Sequence, residues 1–585
     1  WGQIAFYDSS VDASYDGNGD YASGSILEYC TVEYGGGIQL KLANPFINQG
    51  TIRYHSGRGI KTDNYNSSNN SATLKITNNT ISNNAGGVHL YGLGTVLISG
   101  NTISNNSVSG SGAGIKIDGG DGVTISGNTI ENNVAESEGG GIGGGGGYQV
   151  LNNVIKGNQA REGGGIKGGG TITGNVISGN TATESKGGGF YDDSSGTFSN
   201  NYVLSNAGGG IYSQNGQSSI TGNIIAGNTG GALHYKHQDR DSKSVSNNTI
   251  FNNTGSPVVY LKAENMDGSL EVKNNTIVGN SGSPTVSLGK SSSASAPVFS
   301  YNNIYGNSGT YELATTSALG TADLNAENNY WGTSDASAIA TKVYDWNDDS
   351  SLGFVDYTPH ETALITSNPI TPPSGLSGQA GPTTMQLSWT ANAESDIAGY
   401  KVYYDTDGSG YPYANSVSTG STGTTYTLTG LTTDGNYYVA VAAVDSDGNE
   451  SWVSNEITFV IDNTAPTIAL SGGSTITHEA GTAYVDSGVS ATDAVDGTVT
   501  VTTSGTVDVN TAGTYTLTYS AIDAAGNVAT SVTRTVTVTV DTTVPVITLT
   551  GSASVSLEVG TAYTDAGATS DGGETVTTSG TVDVN

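Results

Sequence analysis

An asparagine followed two residues later by isoleucine or valine recurs at Asn79, Asn101, Asn128, Asn153, Asn175, Asn201, Asn223, Asn248, Asn275 and Asn302, with spacings of 22, 27, 25, 22, 26, 22, 25, 27 and 27. Three residues before each Asn sits an apolar residue: Ile76, Ile98, Ile125, Val150, Ile172, Phe198, Ile220, Val245, Val272 and Phe299. Five residues after it sits another Asn, from Asn84 and Asn106 to Asn307. A unit this short cannot bury its apolar face alone, so each copy must stack on its neighbours. Weaker copies lie near Cys30 and Gly50, with one more near Asn328.

Each unit also carries glycines closing on an apolar residue, as at 139–142, 163–166, 187–190 and 208–211. Short period-two strands separated by Gly and Asn turns predict a β-solenoid. Stacked Asn amides can bond along its axis, so one Asn per coil reads as an internal ladder. Roughly 13 coils at the inter-strand spacing give a rod of about 60 Å. The GNTISNN and GGGI units, closed by Asn328-Asn329-Tyr330-Trp331-Gly332, resemble right-handed parallel β-helix repeats of the pectin-lyase-like class. That resemblance implies the fold over roughly residues 1–345. It does not fix an activity, because the class holds lyases, hydrolases, epimerases, adhesins and non-catalytic surface proteins.

Charge marks a boundary. Residues 1–370 hold 17 Lys and Arg against 30 Asp and Glu, and residues 371–585 hold 2 against 22, which together give the net −33. Such acidity argues against nucleic acid or an anionic membrane as partner and favours cations. Cys30, the single cysteine, excludes an internal disulfide framework and occupies a ladder position, where a buried thiol is expected. No apolar run reaches membrane-spanning length. The chain opens at Trp1 without a Met or signal peptide, so processed or cut ends are expected.

The expected architecture is all-β: a parallel β-helix over 1–365, a proline-bearing linker over 366–376, then β-sandwiches. Residues 377–462 resemble a fibronectin type III domain through Leu387-Ser388-Trp389, Tyr400-Lys401-Val402-Tyr403 and Tyr437-Tyr438-Val439-Ala440-Val441. Trp389 is then the core tryptophan and Tyr437 the corner tyrosine. Residues 463–541 and 542–585 align with each other at Glu479-Ala480-Gly481-Thr482-Ala483-Tyr484 and Glu558-Val559-Gly560-Thr561-Ala562-Tyr563, and resemble bacterial Ig-like modules. The second stops some 31 residues short, so either more chain follows or a neighbouring subunit donates a strand.

One surface stands out. One and three residues past each glycine-rich apolar position, side chains point outward: Gln39 and Lys41, Lys61 and Asp63, His89 and Tyr91, Lys116 and Asp118, then Lys167, Tyr191 and Asp193, Tyr212 and Gln214, His234 and Lys236, Tyr260 and Lys262. This stripe takes six of the 17 basic residues of 1–370, where random placement gives about one. Lys116, Asp118, Lys167, Tyr191, Asp193, Tyr212, His234, Lys236, Tyr260 and Lys262 are the candidate ligand-binding set, with Tyr rings for sugar faces and Lys and Asp for carboxylates, hydroxyls or cations. The competing reading is an ordinary solvated strand face. Lys116, Asp118, Arg161, Lys167 and Asp193 come nearest to a lyase set, but no catalytic group is assigned.

Asp16, Asn18 and Asp20 carry the alternating oxygens of a Ca²⁺ loop, with Tyr21 where an EF-hand needs Gly. The dense segment His234-Tyr235-Lys236-His237-Gln238-Asp239-Arg240-Asp241 reads as a charged loop between coils or, less well, a metal site. Asp405-Thr406-Asp407-Gly408 and Asp445-Ser446-Asp447-Gly448-Asn449 read as hairpin turns. After the ladder Asn, Thr80, Thr102 and Thr129 give way to Val154, Val176, Tyr202 and Ile224, an apolar strip that suggests contact with another element or subunit. The function expected is a secreted cell-surface structural or adhesive protein that partners polysaccharide or copies of itself; the alternative is a β-helix polysaccharide lyase or glycoside hydrolase.

Overall fold

The computed structural model describes residues 2–63, 73–91, 94–119, 122–215, 218–238, 240–264, 268–291, 294–316, 324–408 and 410–585. Its first part is a parallel β-solenoid built as the repeat demands. Apolar side chains from successive coils lie in register: Val88 pairs with Ile115, Ile115 with Ile142, Ile142 with Ile166, and Ile166 with Phe190. The residues three before each ladder Asn form a second buried column from Ile76 to Phe299, and Ile81 to Ile304 form a third. Each column resides in one continuous core. Stacking of similar side chains packs the interior closely, because most β-branched side chains meet a similar shape one rung away.

Two asparagine ladders run through the solenoid where the sequence predicts one. In the first, each Oδ1 accepts the backbone N–H and the Nδ2–H of the Asn one coil earlier, unbroken from Asn79 to Asn329. The second runs from Asn84 to Asn307 in the same way. The left-handed backbone belongs to the residue before the ladder Asn: Asn78, Asn152, Asn200 and Asn247 have φ of 57, 56, 54 and 56°. Gly takes that role at Gly100, Gly127, Gly174 and Gly222.

A 12-stranded sheet from Thr31–Glu33 to Asn303–Tyr305 bounds about 11 turns, fewer than the 13 expected. In the copy near Asn328, Asn329 closes the first ladder and Tyr330 makes an isolated bridge to Asn303 before the chain turns into the short helix Ala336–Ala340. That helix starts on the Asp335 cap, whose side chain accepts from the Ser337 N–H. Trp331 is fully buried at this end, its ring 6.5 Å from that of Phe299. Cys30 does hold a ladder position, its carbonyl accepting from Thr51 N–H, but it is only half-buried because the amide ladder starts beyond it.

The chain divides into two compact units, one of Trp1–Ser377, Ser388–Tyr426 and Val439–Ile457, the other of Gly378–Leu387, Thr427–Tyr438 and Thr458–Asn585. Within the first, the apolar strip is covered. Val176, Leu204 and Ala226 are buried, with Val154, Tyr202, Ile224, Phe251, Tyr411 and Trp452 packed against them. The Tyr202 ring lies 4.7 Å from Tyr411 and 5.2 Å from Trp452. The residues after the solenoid are also pinned to it: Asn303 exchanges two hydrogen bonds with the Ile365 backbone, and Asn368 Nδ2 donates to the Tyr301 carbonyl at 2.9 Å. The Pro369 carbonyl accepts from Thr276 Oγ1, so the proline-bearing segment lies against the solenoid.

Beyond it lie a three-stranded sheet of Ser374–Ala380, Thr384–Thr390 and Thr425–Thr429, and a four-stranded sheet of Asn415–Ser418, Ile397–Asp405, Gly435–Asp445 and Ile457–Ile461. Trp389 is buried edge-on to Tyr400, and the Tyr437 hydroxyl accepts from Thr433 N–H four residues upstream, as a corner tyrosine does. In the second unit, Thr475–Glu479, Val532–Thr539, Gly513–Ala521 and Val501–Ser504 form one sheet of the next sandwich. Its Arg534 is fully buried, pairing with Asp486 and donating to the Ser471, Gly473 and Gly488 carbonyls. In 542–585 a single antiparallel pair, Ile547–Leu549 with Ala568–Ser570, leaves Val544, Leu549 and Val559 exposed. No helix among the described residues is long and apolar enough to cross a membrane.

Candidate functional site

The stripe exists as an axial row. Along one line of partners His89 lies beside Lys116, Lys116 beside Gly143, Gly143 beside Lys167, Lys167 beside Tyr191, then Tyr212, His234 and Tyr260. The second outward position also pairs across coils, Tyr91 with Asp118 and Lys236 with Lys262. Alternation along each strand puts these side chains outside because their neighbours fill the core, as in Ile115–Asp118.

The row has two chemically distinct halves. Around Gly143 it is ionic. Lys167 Nζ bonds Glu138 and Asp193, both at 2.8 Å. Lys116 pairs with Asp118 at 3.1 Å, and Asp118 also meets His89 Nε2 at 2.8 Å. Because glycines occupy 143–145, a cleft of about 290 Å³ opens there between Lys116 with Asp118 and Lys167 with Glu138 and Asp193. Partial burial lowers the Lys167 pKa, but the bonds to Asp193 and Glu138 outweigh it and the net shift is upward. Burial likewise raises Asp118, and the bonds from His89 and Lys116 bring it below the ordinary carboxylate value. A lysine held protonated is an anchor for anions and hydroxyls, not a base, and a carboxylate held ionised is no general acid. Arg161 pairs with Glu184 and does not line this cleft. Glu138 lies outside the glycine-to-apolar register, so the repeat does not mark it.

The other half is aromatic. Tyr191, Tyr212, His234 and Tyr260 form a continuous stack with centroid separations of 5.5, 4.4 and 4.5 Å and interplanar angles of 6, 8 and 19°. This corrects the expectation that the tyrosines offer their faces to sugars. In-register stacking turns each face onto the next ring, so edges and hydroxyls are what a ligand meets. Burial pushes His234 down to about 4, helped by Lys236, so the stack is uncharged at neutral pH. Beside it the glycine corners and Pro257 form a cleft of about 390 Å³ lined by Tyr212, His234 and Tyr260. Lys262 pairs with Glu264 at 2.6 Å.

His234 and His237 do not converge. They lie in the strand Leu233–His237, His234 facing out and His237 fully buried, so the expected protruding loop is instead a regular strand up to His237. Asp239 lies outside the described residues. At the Asp16 loop, Asp16 Oδ1 accepts the backbone N–H groups of Asn18 and Asp20, both at 2.9 Å, and Lys75 Nζ donates to the Gly19 carbonyl at 2.6 Å. The carboxylate is thus engaged in an Asx turn, with an ammonium already against the loop.

Behind the row, Asp192 is buried and accepts from Ser213 Oγ at 2.7 Å and Ser218 Oγ at 3.0 Å. Burial pushes it up to about 6 against those hydrogen bonds. The folded value exceeds the unfolded one, so the folded chain holds the extra proton between about pH 4 and 6. The resulting stabilisation is complete below about pH 4 and is lost as pH rises through 6. Asp192→Asn is therefore expected to be the more stable form at pH 8, by about 1–3 kcal/mol, with little advantage at pH 4. Melting temperatures of both proteins from pH 4 to 8 check this; parallel curves would refute it.

Known families match most of the chain. Residues 98–244 and 173–330 match the right handed beta helix region, 371–460 the fibronectin type III domain, and 468–538 the Ig-like domain of bacterial surface proteins. The chain is a right-handed parallel β-helix followed by a fibronectin type III domain and a bacterial Ig-like domain. Residues 7–162 of the β-helix also match the periplasmic copper-binding protein (NosD) family. The donors there do not suit copper, which favours converging imidazole, thiolate or thioether ligands. His55 Nδ1 accepts from Gly35 N–H, His89 binds Asp118, and the described residues of 7–162 gather no cluster of three metal-ligating side chains. Chitinase A1 of Niallia circulans is 33% identical over 182 residues, 28% of this chain and 25% of that protein, so the chain spans about a quarter of its relative's length. An Fn3-like protein from Clostridium thermocellum shares 34% identity over 15% of this chain and 90% of its own, with TM-score 0.14. A human fibronectin type III domain shares 22% over 17% and 90%, with TM-score 0.15. Of the modules following the β-helix, residues 468–538 are thus of the bacterial surface-protein Ig-like type.

Proposed function

We propose that this is a secreted bacterial cell-surface protein with a structural or adhesive role, whose β-helix holds a polysaccharide along the axial row while the sandwiches act as spacers. The carrying observation is the row's continuity: one in-register line runs from a lysine–carboxylate cleft at Gly143 into a neutral aromatic stack. An extended chain of hydroxyls, with or without carboxylates, suits such a line, and charged anchors at one end fix its register. The similarity to part of a chitinase supports a carbohydrate setting. The protonated Lys167 and ionised Asp118 favour binding over the lyase or hydrolase reading.

Because ring edges face outward, the hydroxyls carry the contact. The double variant Tyr212→Phe, Tyr260→Phe keeps the stack and is expected to weaken retention on a matching insoluble glycan about tenfold, or about 1.4 kcal/mol. Sedimentation binding to a panel of uronate and neutral polysaccharides reads this out. Unchanged retention would sink the assignment of the row. New unsaturated or reducing ends in the same mixtures would sink the structural reading.

A further inference from the structure

Three aspartates far apart in sequence converge in the second unit. Asp462 follows the strand Ile457–Ile461, Asp496 lies in the turn between Val489–Asp493 and Gly497–Val499, and Asp523 follows Gly513–Ala521. Each offers a carboxylate oxygen within 4.8 Å of the other two. Asp462 and Asp523 are 4% and 8% exposed, while Asp496 is open to solvent. The Asn527 side chain ties the group together, donating to the Asp462 carbonyl at 3.0 Å and to Asp523 Oδ2 at 2.8 Å.

The hydrogen bonds do not use up these carboxylates. Asp462 Oδ1 accepts from Thr464 N–H at 3.1 Å, but its buried Oδ2 has no hydrogen-bond partner. Among the described residues of 371–585 no Lys or Arg pairs with these carboxylates. Residues 371–585 contain only Lys401 and Arg534, and these pair with Glu450 and Asp486. A buried carboxylate oxygen without a donor or counter-ion is costly, so a cation from solution is the natural complement. With Ca–O distances of about 2.3–2.6 Å, two ligands of one calcium ion lie up to about 5 Å apart, which matches the spacing here.

We propose that Asp462, Asp496 and Asp523 bind one Ca²⁺ ion, which fixes the segment entering the Ig-like sandwich to two of that sandwich's own turns. Mg²⁺ fits less well, since it demands a tighter octahedron and gives up water reluctantly.

The test uses the whole 585-residue chain stripped with EDTA and titrated calorimetrically with CaCl₂ or MgCl₂. A calcium site with Kd of about 0.1–1 mM is expected, the range of extracellular modules, together with a calcium-dependent rise in melting temperature. Asp496→Asn, at an exposed position and so compatible with folding, is expected to weaken calcium binding at least about tenfold; Asp462→Asn is expected to abolish it. Asp16→Asn, in the unrelated loop of the β-helix, is expected to leave it unchanged. Absence of calcium binding, wild-type affinity in Asp496→Asn, loss in Asp16→Asn, or equal affinity for magnesium would each overturn the proposal.

Discussion

Asn175→Ala is expected to destabilise the β-helix by about 4 kcal/mol, far more than an ordinary polar truncation. Its Oδ1 accepts both the backbone N–H and the Nδ2–H of Asn153, at 2.9 and 3.0 Å. Its Nδ2 donates to the Val150 and Thr173 carbonyls and to Asn201 Oδ1. Alanine strands several of these groups where water cannot reach, each at about 1–3 kcal/mol. Asn175→Asp keeps the acceptor but removes the donor and buries a charge, so it is expected to be at least as damaging. Asn152→Gly, one residue before the neighbouring ladder position and left-handed at φ 56°, is the control; Gly fills that role in other coils, and a change of under about 1 kcal/mol is expected. Urea unfolding followed by circular dichroism, with hydrogen exchange of the flanking rungs, measures all three. A loss below about 1 kcal/mol for Asn175→Ala would mean the ladder is dispensable.

Gly165→Val is expected to cost about 3 kcal/mol or more, with Gly165→Ala not far behind. A Cβ there would stand 2.6 Å from the Gly189 carbonyl oxygen, 3.0 Å from Ile177 Cγ2 and 3.1 Å from Asn180 Nδ2. The backbone cannot yield, because Gly165 donates to Gly188 and accepts from Ile142 across the stacked coils. The same clash recurs at Gly114, Gly141 and Gly189, whose Cβ would meet the next coil's carbonyl at 2.5, 2.6 and 2.7 Å. Gly145→Ala, where nothing lies within 4 Å, is the matched control and is expected to be near neutral. Equal melting temperatures for the Gly165 and Gly145 variants would remove the steric account of the glycine column.

These glycines show how far the sequence could be read. The repeat places them at one corner of the coils, where close coil-to-coil approach leaves no room for a Cβ. The columns from Ile76 to Phe299 and the first ladder were legible for the same reason: a structure with one spacing per rung writes its neighbours into its period. The second ladder was visible as the Asn five residues on, but its bonding was not. The outward row is legible as positions, but its chemistry is not. Linear alternation shows that Tyr191, Tyr212 and Tyr260 point outward; only the register shows that each ring lies against another aromatic ring.

What the sequence by itself determined is therefore whatever repeats locally: coil period, core columns, the glycine corner, the outward row and the change of module near residue 370. Tertiary structure decided what depends on non-repeating encounters. It covered Val176 and Tyr202 with Tyr411 and Trp452, paired Lys167 with Glu138, put His234 and His237 on opposite sides of one strand, and gathered Asp462, Asp496 and Asp523. The physical reason is range. Hydrogen-bond register and hydrophobic alternation act between residues whose spacing the chain fixes, whereas contacts between distant turns depend on loop paths that no short period encodes.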